Sequence, residues 1–201
     1  MRAINRRSAL ALMGAVPMAA LVVTREEAAY AADRVREGQA QAARAGQAYA
    51  LRFFTPREYA TVVALSDLIL PRDARSAGAS EAGAPEFIDF IVAEQPGRQT
   101  AMRGGLVWLD SECRRRFDKA FLECTDAERR QVADDIAWPG RARPAMSHGV
   151  AFFSAMRDLV ATGFWSSRIG VEDLEYLGNR PVGEFPGAPP EILKKLGVSN
   201  D

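Results

Sequence analysis

The residue types that most often perform chemistry in proteins are scarce in this chain. Its 201 residues include one histidine, His148, and two cysteines, Cys113 and Cys124. A tetrahedral zinc site of the Cys/His type needs four ligands, so these three residues cannot complete one without carboxylates or a second chain. His148 follows Ser147 at a predicted helix start, which favours a partly exposed residue over a catalytic base. We therefore predict no catalytic residue and no metal site in this chain.

Sequence motifs for cofactors and nucleophiles are absent as well. The chain has no Gly-x-Gly-x-x-Gly, P-loop, Gly-x-Ser-x-Gly or Cys-x-x-Cys pattern. The sequence therefore gives no indication of nucleotide binding, of a nucleophile elbow or of dithiol redox chemistry. Asp134 and Asp135 are adjacent, which on a helix points them about 100° apart and favours a solvated face over a shared acid/base site. The sequence predicts no cofactor site in this chain.

The charge balance excludes a further class of function. Basic and acidic residues number 26 each, so the formal net charge is zero, whereas a nucleic-acid partner normally requires a basic surplus. The run at 114–116, three arginines, is interpreted as a solvated helix face. A continuous run of about 20 apolar residues, which an ordinary transmembrane helix needs, is also absent.

The N-terminal segment has the pattern of an export signal. Arg6 and Arg7 precede an apolar stretch at 9–23, which is too short to span a bilayer but suits a signal peptide. Adjacent arginines before such a stretch indicate a twin-arginine signal over residues 1–31, with a general secretory signal as the alternative. Ala29-Tyr30-Ala31 offers a processing site, so the mature chain would begin near Ala32.

The remainder of the chain predicts an all-α protein. Residues 32–52 are helix-prone but lack a strong apolar stripe, which indicates a mobile linker or a helix that needs a partner. Residues 53–163 predict a small domain of about five helices, because apolar residues recur at helical spacing and two capping boxes, Thr55 with Glu58 and Thr125 with Glu128, mark helix starts. No segment alternates convincingly at the period of a strand.

The two cysteines flank the end of one predicted helix. Cys113 lies on the apolar side of that helix, and Cys124 immediately precedes the Thr125 cap. In an exported chain these thiols could form a disulfide that contributes about 2–4 kcal/mol. The alternative is two separate buried thiols that behave as small apolar groups.

The C-terminal segment, residues 164–201, predicts an extended irregular tail. It contains large aromatic residues among glycines and prolines, where a regular helix would not bury them. Interface centres favour Trp, Tyr and Arg, so these rings are candidate partner-binding residues; folding back onto the chain's own core is the alternative. The aromatic candidates are Phe164, Trp165, Tyr176 and Phe185.

Several short patterns together resemble the gluconate 2-dehydrogenase subunit 3 family. The resemblance includes the twin-arginine leader and covers about residues 50–193. The C-terminal block is its most specific part. This block adds Asn179 to the candidate partner-binding residues. The patterns are Phe54-Thr55-Pro56-x-Glu58, Ile69-Leu70-Pro71-Arg72-Asp73, Ala82-Gly83-Ala84-Pro85-x-Phe87-Ile88-Asp89, and Gly163-Phe164-Trp165 … Ile169-Gly170 … Asp173-Leu174-x-Tyr176-x-Gly178-Asn179.

This resemblance implies a non-catalytic small subunit in the periplasm. In such complexes a large FAD-dependent subunit of the GMC type oxidises a sugar or sugar acid, and a multihaem cytochrome c passes the electrons to the quinone pool. The small subunit supports folding of the flavoprotein and escorts it through the twin-arginine translocase, and the complex is associated with the inner membrane. FAD and haem c would therefore lie in the partners. The alternatives are a free-standing periplasmic enzyme and a small-ligand-binding protein.

Overall fold

The computed structural model describes residues 23–175 and 189–197. The twin-arginine pair Arg6 and Arg7 and the candidate residues Tyr176, Asn179 and Phe185 lie outside these ranges. Over the described ranges the chain folds into α-helices and two short 3-10 turns, with no strand, which confirms the predicted all-α class.

Eight α-helices follow one another along the described residues. Five of them, α2 to α6, form the body predicted for residues 53–163, and α7 and α8 lie in the C-terminal segment. The helices are α1 (Arg25–Arg44), α2 (Pro56–Ile69), α3 (Ala84–Glu94), α4 (Pro96–Phe117), α5 (Asp126–Ala137), α6 (Ser147–Trp165), α7 (Arg168–Asp173) and α8 (Pro190–Leu196). The 3-10 turns are Phe121–Glu123 and Pro144–Met146.

Both predicted capping boxes are present at helix starts. At α2 the Thr55 hydroxyl accepts a hydrogen bond from the Glu58 N–H at 3.3 Å, and the Glu58 carboxylate accepts from the Thr55 N–H at 2.8 Å. Thr125 and Glu128 make the same pair of bonds at the start of α5. Each box satisfies two backbone donors that a helix start otherwise leaves without partners, so these boundaries are fixed locally.

Helix α6 is the centre of the body and packs against α1 to α5 and α7. Its contact with α4 depends on two glycines that accept rings from the opposite helix. A Cβ on Gly105 of α4 would lie 1.9 Å from the ring of Phe152, and a Cβ on Gly149 of α6 would lie 2.2 Å from the ring of Trp108. Because neither position leaves room for a methyl group, the two helices approach more closely than larger residues would allow.

Helix α1 is packed onto the body and is not a free linker. It occupies 25–44, and the small side chains of Ala28, Ala31 and Val35 are buried against α3 and α6. The expected linker at 32–52 is therefore helical as far as Arg44. A stripe of alanines is inconspicuous in a sequence, but it lets a helix lie close to its neighbours. The processing site expected after Ala31 falls inside this helix.

The C-terminal segment begins as helix. Helix α6 continues through Trp165, two residues beyond the expected domain end at 163, and α7 follows after a short turn. Ser167 caps α7, since its hydroxyl accepts a hydrogen bond from the Gly170 N–H at 3.0 Å. The extended tail predicted from Phe164 onward is thus helical over much of its described part, because a local cap offsets the scattered glycines.

Candidate partner-binding surface

Phe164 and Trp165 are neighbours in sequence but face opposite environments. Phe164 is 4% exposed and Trp165 is 40% exposed, and their rings make an edge-to-face contact with centroids 5.6 Å apart. Because α6 continues through both residues, their side chains point about 100° apart, one into the core and the other outward. Phe164 is therefore a core residue of this chain, which corrects its selection as a partner anchor, whereas Trp165 remains accessible.

Helix α7 is held tightly against the end of α6. A Cβ on Gly170 would lie 2.1 Å from the carbonyl oxygen of Phe164, so any side chain here would push the helix away. The Ser167 hydroxyl donates to the same carbonyl at 2.6 Å. The Ile169-Gly170 pattern of the C-terminal block thus has a steric role, because it positions α7 and the residues that follow Trp165.

An ion pair connects α7 to the loop at 71–83. Arg75 lies 3.5 Å from the carboxylate of Asp173 and also donates to the Asp173 carbonyl. The loop itself is ordered by Asp73, whose carboxylate accepts the N–H groups of Arg75 and Ser76 at 2.8 Å each; these bonds lower the pKa of Asp73. The Pro71-Arg72-Asp73 pattern therefore helps to support the corner formed by α6 and α7.

Large apolar side chains remain exposed in the C-terminal part of the described chain. Val171 lies on α7, and Leu174, which directly follows this helix, is 56% exposed. Ile192 and Leu196 are exposed on α8. Apolar groups exposed in number often mark interaction sites, so we take Trp165, Val171 and Leu174 as a candidate partner-binding surface and call it the α6–α7 corner.

Among the large apolar residues exposed in the described ranges, the sequence reasoning had selected only Trp165 as a partner-binding candidate. Leu174 was quoted only as part of a motif, and Trp138, 64% exposed directly after α5, was not selected at all. A signal for Trp138 was available, because Pro139 follows it and a proline at that place ends a helix.

One buried carboxylate, that of Asp89, and two half-buried phenols, those of Tyr49 and Tyr59, lie in the N-terminal half of the body. Asp89 is completely buried and accepts backbone N–H groups from the segment that precedes α2. Burial, and then the neighbouring Glu86, raises the pKa of Tyr59, and burial raises the pKa of Tyr49 to about 12. Phenols held protonated at neutral pH donate hydrogen bonds but do not act as bases. Both phenols are therefore neutral at pH 7.

The cysteines and the histidine lie apart from the α6–α7 corner. Cys113 and Cys124 are both buried and free, so the favoured disulfide is not formed in the structure. Burial and then the adjacent Cys124 thiol raise the pKa of Cys113, which disfavours the reactive thiolate. His148 is exposed in the first turn of α6.

Metal-binding clusters and membrane-spanning helices are both absent from the residues that the structure describes. Within 23–175 and 189–197, no group of three or more His, Cys, Asp or Glu side chains is arranged to hold a metal ion. Among the helices in those ranges, none combines the length and the apolar character needed to cross a bilayer.

Comparison with known proteins gives one match. The family model described as Gluconate 2-dehydrogenase subunit 3 matches residues 56–187. No curated protein and no solved structure matches the chain. The matched range contains α2 to α7, including the Asp73 loop, Asp89 and the α6–α7 corner, and it spans well over half of the sequence. The chain therefore belongs to the gluconate 2-dehydrogenase subunit 3 family.

Proposed function

We propose that this chain is the non-catalytic small subunit of a periplasmic FAD-dependent gluconate or sugar dehydrogenase complex, and that it supports folding and export of the flavoprotein subunit. The observation that carries the proposal is the family match over 56–187. A dehydrogenase subunit implies a flavin and a haem c, and we assign both to the partners: FAD to a GMC-type large subunit and haem to a multihaem cytochrome c.

The arrangement of the α6–α7 corner supports a binding role. Trp165 is exposed, yet its backbone is part of a helix whose end is held by Gly170 and Ser167. An anchor residue on a rigid support loses little conformational entropy when it binds, so more of the burial energy appears as affinity. The α6–α7 corner thus exposes a tryptophan on a well-supported backbone together with Val171 and Leu174, and such a surface is suited to binding a larger partner.

Binding of this chain to the flavoprotein would also support folding of the flavoprotein. A subunit that binds the folded flavoprotein but not its unfolded chain shifts the folding equilibrium by mass action. With a free subunit concentration 100 times the Kd, the shift is about 2.7 kcal/mol. The chain would need no contact with the reacting alcohol or with the flavin to have this effect.

Export of the pair depends on the leader of this chain. The twin-arginine route carries folded proteins, so a flavoprotein with FAD already bound can cross with a partner that bears the signal. Changing Arg6 and Arg7 to lysine in the full chain is expected to leave both subunits in the cytoplasm. Active flavoprotein in the periplasm of this variant would contradict the escort role, even with the complex intact.

The complex itself is tested by co-expression with the flavoprotein. We expect the two chains to elute together from a sizing column at micromolar concentration, with the absorption spectrum of a flavin. The chain alone is the control, and its spectrum between 300 and 600 nm also tests the free-standing redox enzyme. Separate elution of the two wild-type chains would refute the subunit assignment.

A further inference from the structure

An apolar groove lies between α5 and α6 and is bordered by the last residues of α2. Its volume is about 470 Å³. Ala133 and Phe153 lie buried at its floor, and Leu68 and Ala161 are half-buried along its walls. We call this feature the α5–α6 groove. Its apolar lining and open rim suit the apolar face of a short helix.

The rim of the groove carries balanced charges. Arg130 and Asp134 stand one helical turn apart on the α5 side, and among the residues that the structure describes neither lies within ion-pair distance of an oppositely charged group. On the α6 side, Arg157 is paired with Asp158 at 3.0 Å. An occupant that suits this rim therefore offers one acidic and one basic group to α5, without an excess of either charge.

Helix α8 has an apolar face that the body does not cover. Ile192 and Leu196, one turn apart, are 44% and 68% exposed, and no residue of α8 is buried. Within the described parts of the chain, the charged residues of α8 have no ion-pair partner either. A helix of seven residues is marginal in water by itself, since short helices are stabilised mainly by packing of their apolar face. Helix α8 therefore needs a surface that covers this face.

The lengths of α8 and of the groove agree. The α5 side of the groove extends from Arg130 to Ala137, which is about 10 Å along a helix axis. Helix α8, with its seven residues, has the same length of about 10 Å. Ile192 and Leu196 can therefore enter the groove together.

The charges of α8 match those of the α5 rim. Glu191 and Lys195 are one turn apart on α8, which is the spacing of the two rim charges on α5. When α8 runs parallel to α5, Glu191 lies beside Arg130. Lys195, one turn later, then lies beside Asp134, and both pairs attract.

The chain itself brings α8 within reach of the groove. Trp165 borders the groove, and the described body ends soon after it, at Glu175. Residues 176–188 connect that point to α8, and 13 residues span at most about 45 Å, whereas a compact body of this size has a radius of gyration of about 15 Å. A covalently joined helix meets its own groove at an effective concentration on the order of millimolar, which favours its own groove over that of a second copy.

We propose that α8 docks into the α5–α6 groove of its own chain. Ile192 and Leu196 enter the groove, and the two charges beside them pair with Arg130 and Asp134 on α5. Docking covers two apolar surfaces at once, so the free subunit presents less exposed apolar area for self-association. This inference goes beyond the proposed function, because the contact requires no flavoprotein.

Photo-crosslinking of the full chain locates α8. A diazirine residue replaces Leu193, which is half-buried and next to the apolar face, and we expect it to link to peptides from 130–137 or 153–165. Mixing isotopically heavy and light chains distinguishes the source of the groove, because a link within one chain carries a single label. A mixed-label link would assign α8 to a second copy, and a link elsewhere on the body, or none, would leave the groove without α8; each of these results overturns the proposal.

Charge exchange tests the orientation of the docked helix. Amide hydrogen exchange of the peptide 189–197 is the measurement, because a docked helix exchanges only when it opens. Lys195→Asp places two carboxylates together, and we expect it to raise the exchange rate about threefold to tenfold. The double variant Asp134→Lys with Lys195→Asp restores an attractive pair and should return the rate to within about twofold of wild type.

Lys194→Asp is the matched control. It makes the same charge change on the opposite side of α8, about 180° from the apolar face, and should leave the exchange rate within about twofold. All substituted positions are exposed, so the body should remain folded, and thermal melts verify this. Equal effects of Lys194→Asp and Lys195→Asp, or no rescue in the double variant, would refute the docked arrangement.

Discussion

The carboxylate of Asp89 accepts a hydrogen bond from the backbone N–H of Phe54 at 2.9 Å. It also accepts from the N–H groups of Phe53 at 3.0 Å and Arg52 at 2.7 Å. One buried side chain on α3 therefore holds the segment that leads into α2. Two of the patterns that resemble the family, one ending in Asp89 and the other beginning at Phe54, are thus parts of the same contact.

We expect Asp89→Asn to destabilise the chain by about 1.5–3 kcal/mol, because an amide offers one acceptor oxygen and turns two donors toward backbone N–H groups. Urea unfolding measures the change. Glu94→Gln on the same helix is the control: its ion pair with Arg52 is exposed, and its loss should cost less than about 1 kcal/mol. Equal effects of the two substitutions would show that Asp89 has no special structural role.

We expect alanine substitutions at two adjacent glycines of α4 to change the stability of the chain in opposite directions. A Cβ on Gly104 meets nothing within 4 Å, whereas one on Gly105 meets the ring of Phe152. Gly104→Ala should stabilise the helix by about 0.5–1 kcal/mol, and Gly105→Ala should destabilise the chain by about 1–3 kcal/mol through overpacking. Thermal melts of both variants test this, and a stable Gly105→Ala would refute the close packing of α4 on α6.

We expect Glu112 to contribute to the loss of stability of the chain at acidic pH. Its hydrogen bonds with Arg115 and then Arg116 lower its pKa from 4.5 to about 2. A carboxylate with a lowered folded-state pKa stabilises the protein above its unfolded pKa, and that contribution is lost as the pH falls toward the folded value. The stability difference between wild type and Glu112→Gln should therefore be full at pH 7 and shrink between about pH 5 and about pH 2.

Urea midpoints across that range measure the difference. Exposed Glu37 on α1 provides the control substitution, Glu37→Gln, because its pair with Arg34 is open to solvent. A constant difference between wild type and Glu112→Gln at all pH values would contradict an ionised, paired Glu112 in the folded state.

The packing of α1 on the body limits where the leader can be removed. A cut after Ala31 would delete the Thr24 cap, the bond from Gln95 to Glu27 at 3.1 Å, and buried Ala28 and Ala31. We therefore expect any processing to occur before Thr24. Intact-mass analysis of chain purified from the periplasm tests this, and a mature start at Ala32 would contradict it. A chain begun at Ala32 should melt at a lower temperature than one begun at Val23.

The contact between Cys113 and Cys124 predicts a dependence on compartment. In chain isolated from the periplasm we expect the two thiols to be joined, with loss of two hydrogens to a disulfide-bearing oxidant. Iodoacetamide should then modify neither cysteine after unfolding without reductant. Chain made in a reducing cytosol is the control, and both of its thiols should react once it is unfolded. Modification of both in the periplasmic chain would contradict the bridge.

Helix existence and type were predictable because their signals are local. The capping boxes at Thr55 and Thr125 and the apolar spacing of α2 to α6 involve residues within one or two turns of each other. The scarcity of reactive side chains is a property of composition, so it too could be assessed without a fold. On these grounds the sequence alone determined the helical class, the five-helix body and the absence of recognisable cofactor motifs.

Burial was decided by tertiary contacts. Whether Phe164 or Trp165 faces the core depends on the rotation of α6 against α3, and whether 25–44 is a linker or a packed helix depends on the fit of three small side chains. The groove between α5, α6 and the last residues of α2 exists because three separate helices leave space between them. None of these contacts is encoded within one turn of the chain, because each requires surfaces from distant segments to meet.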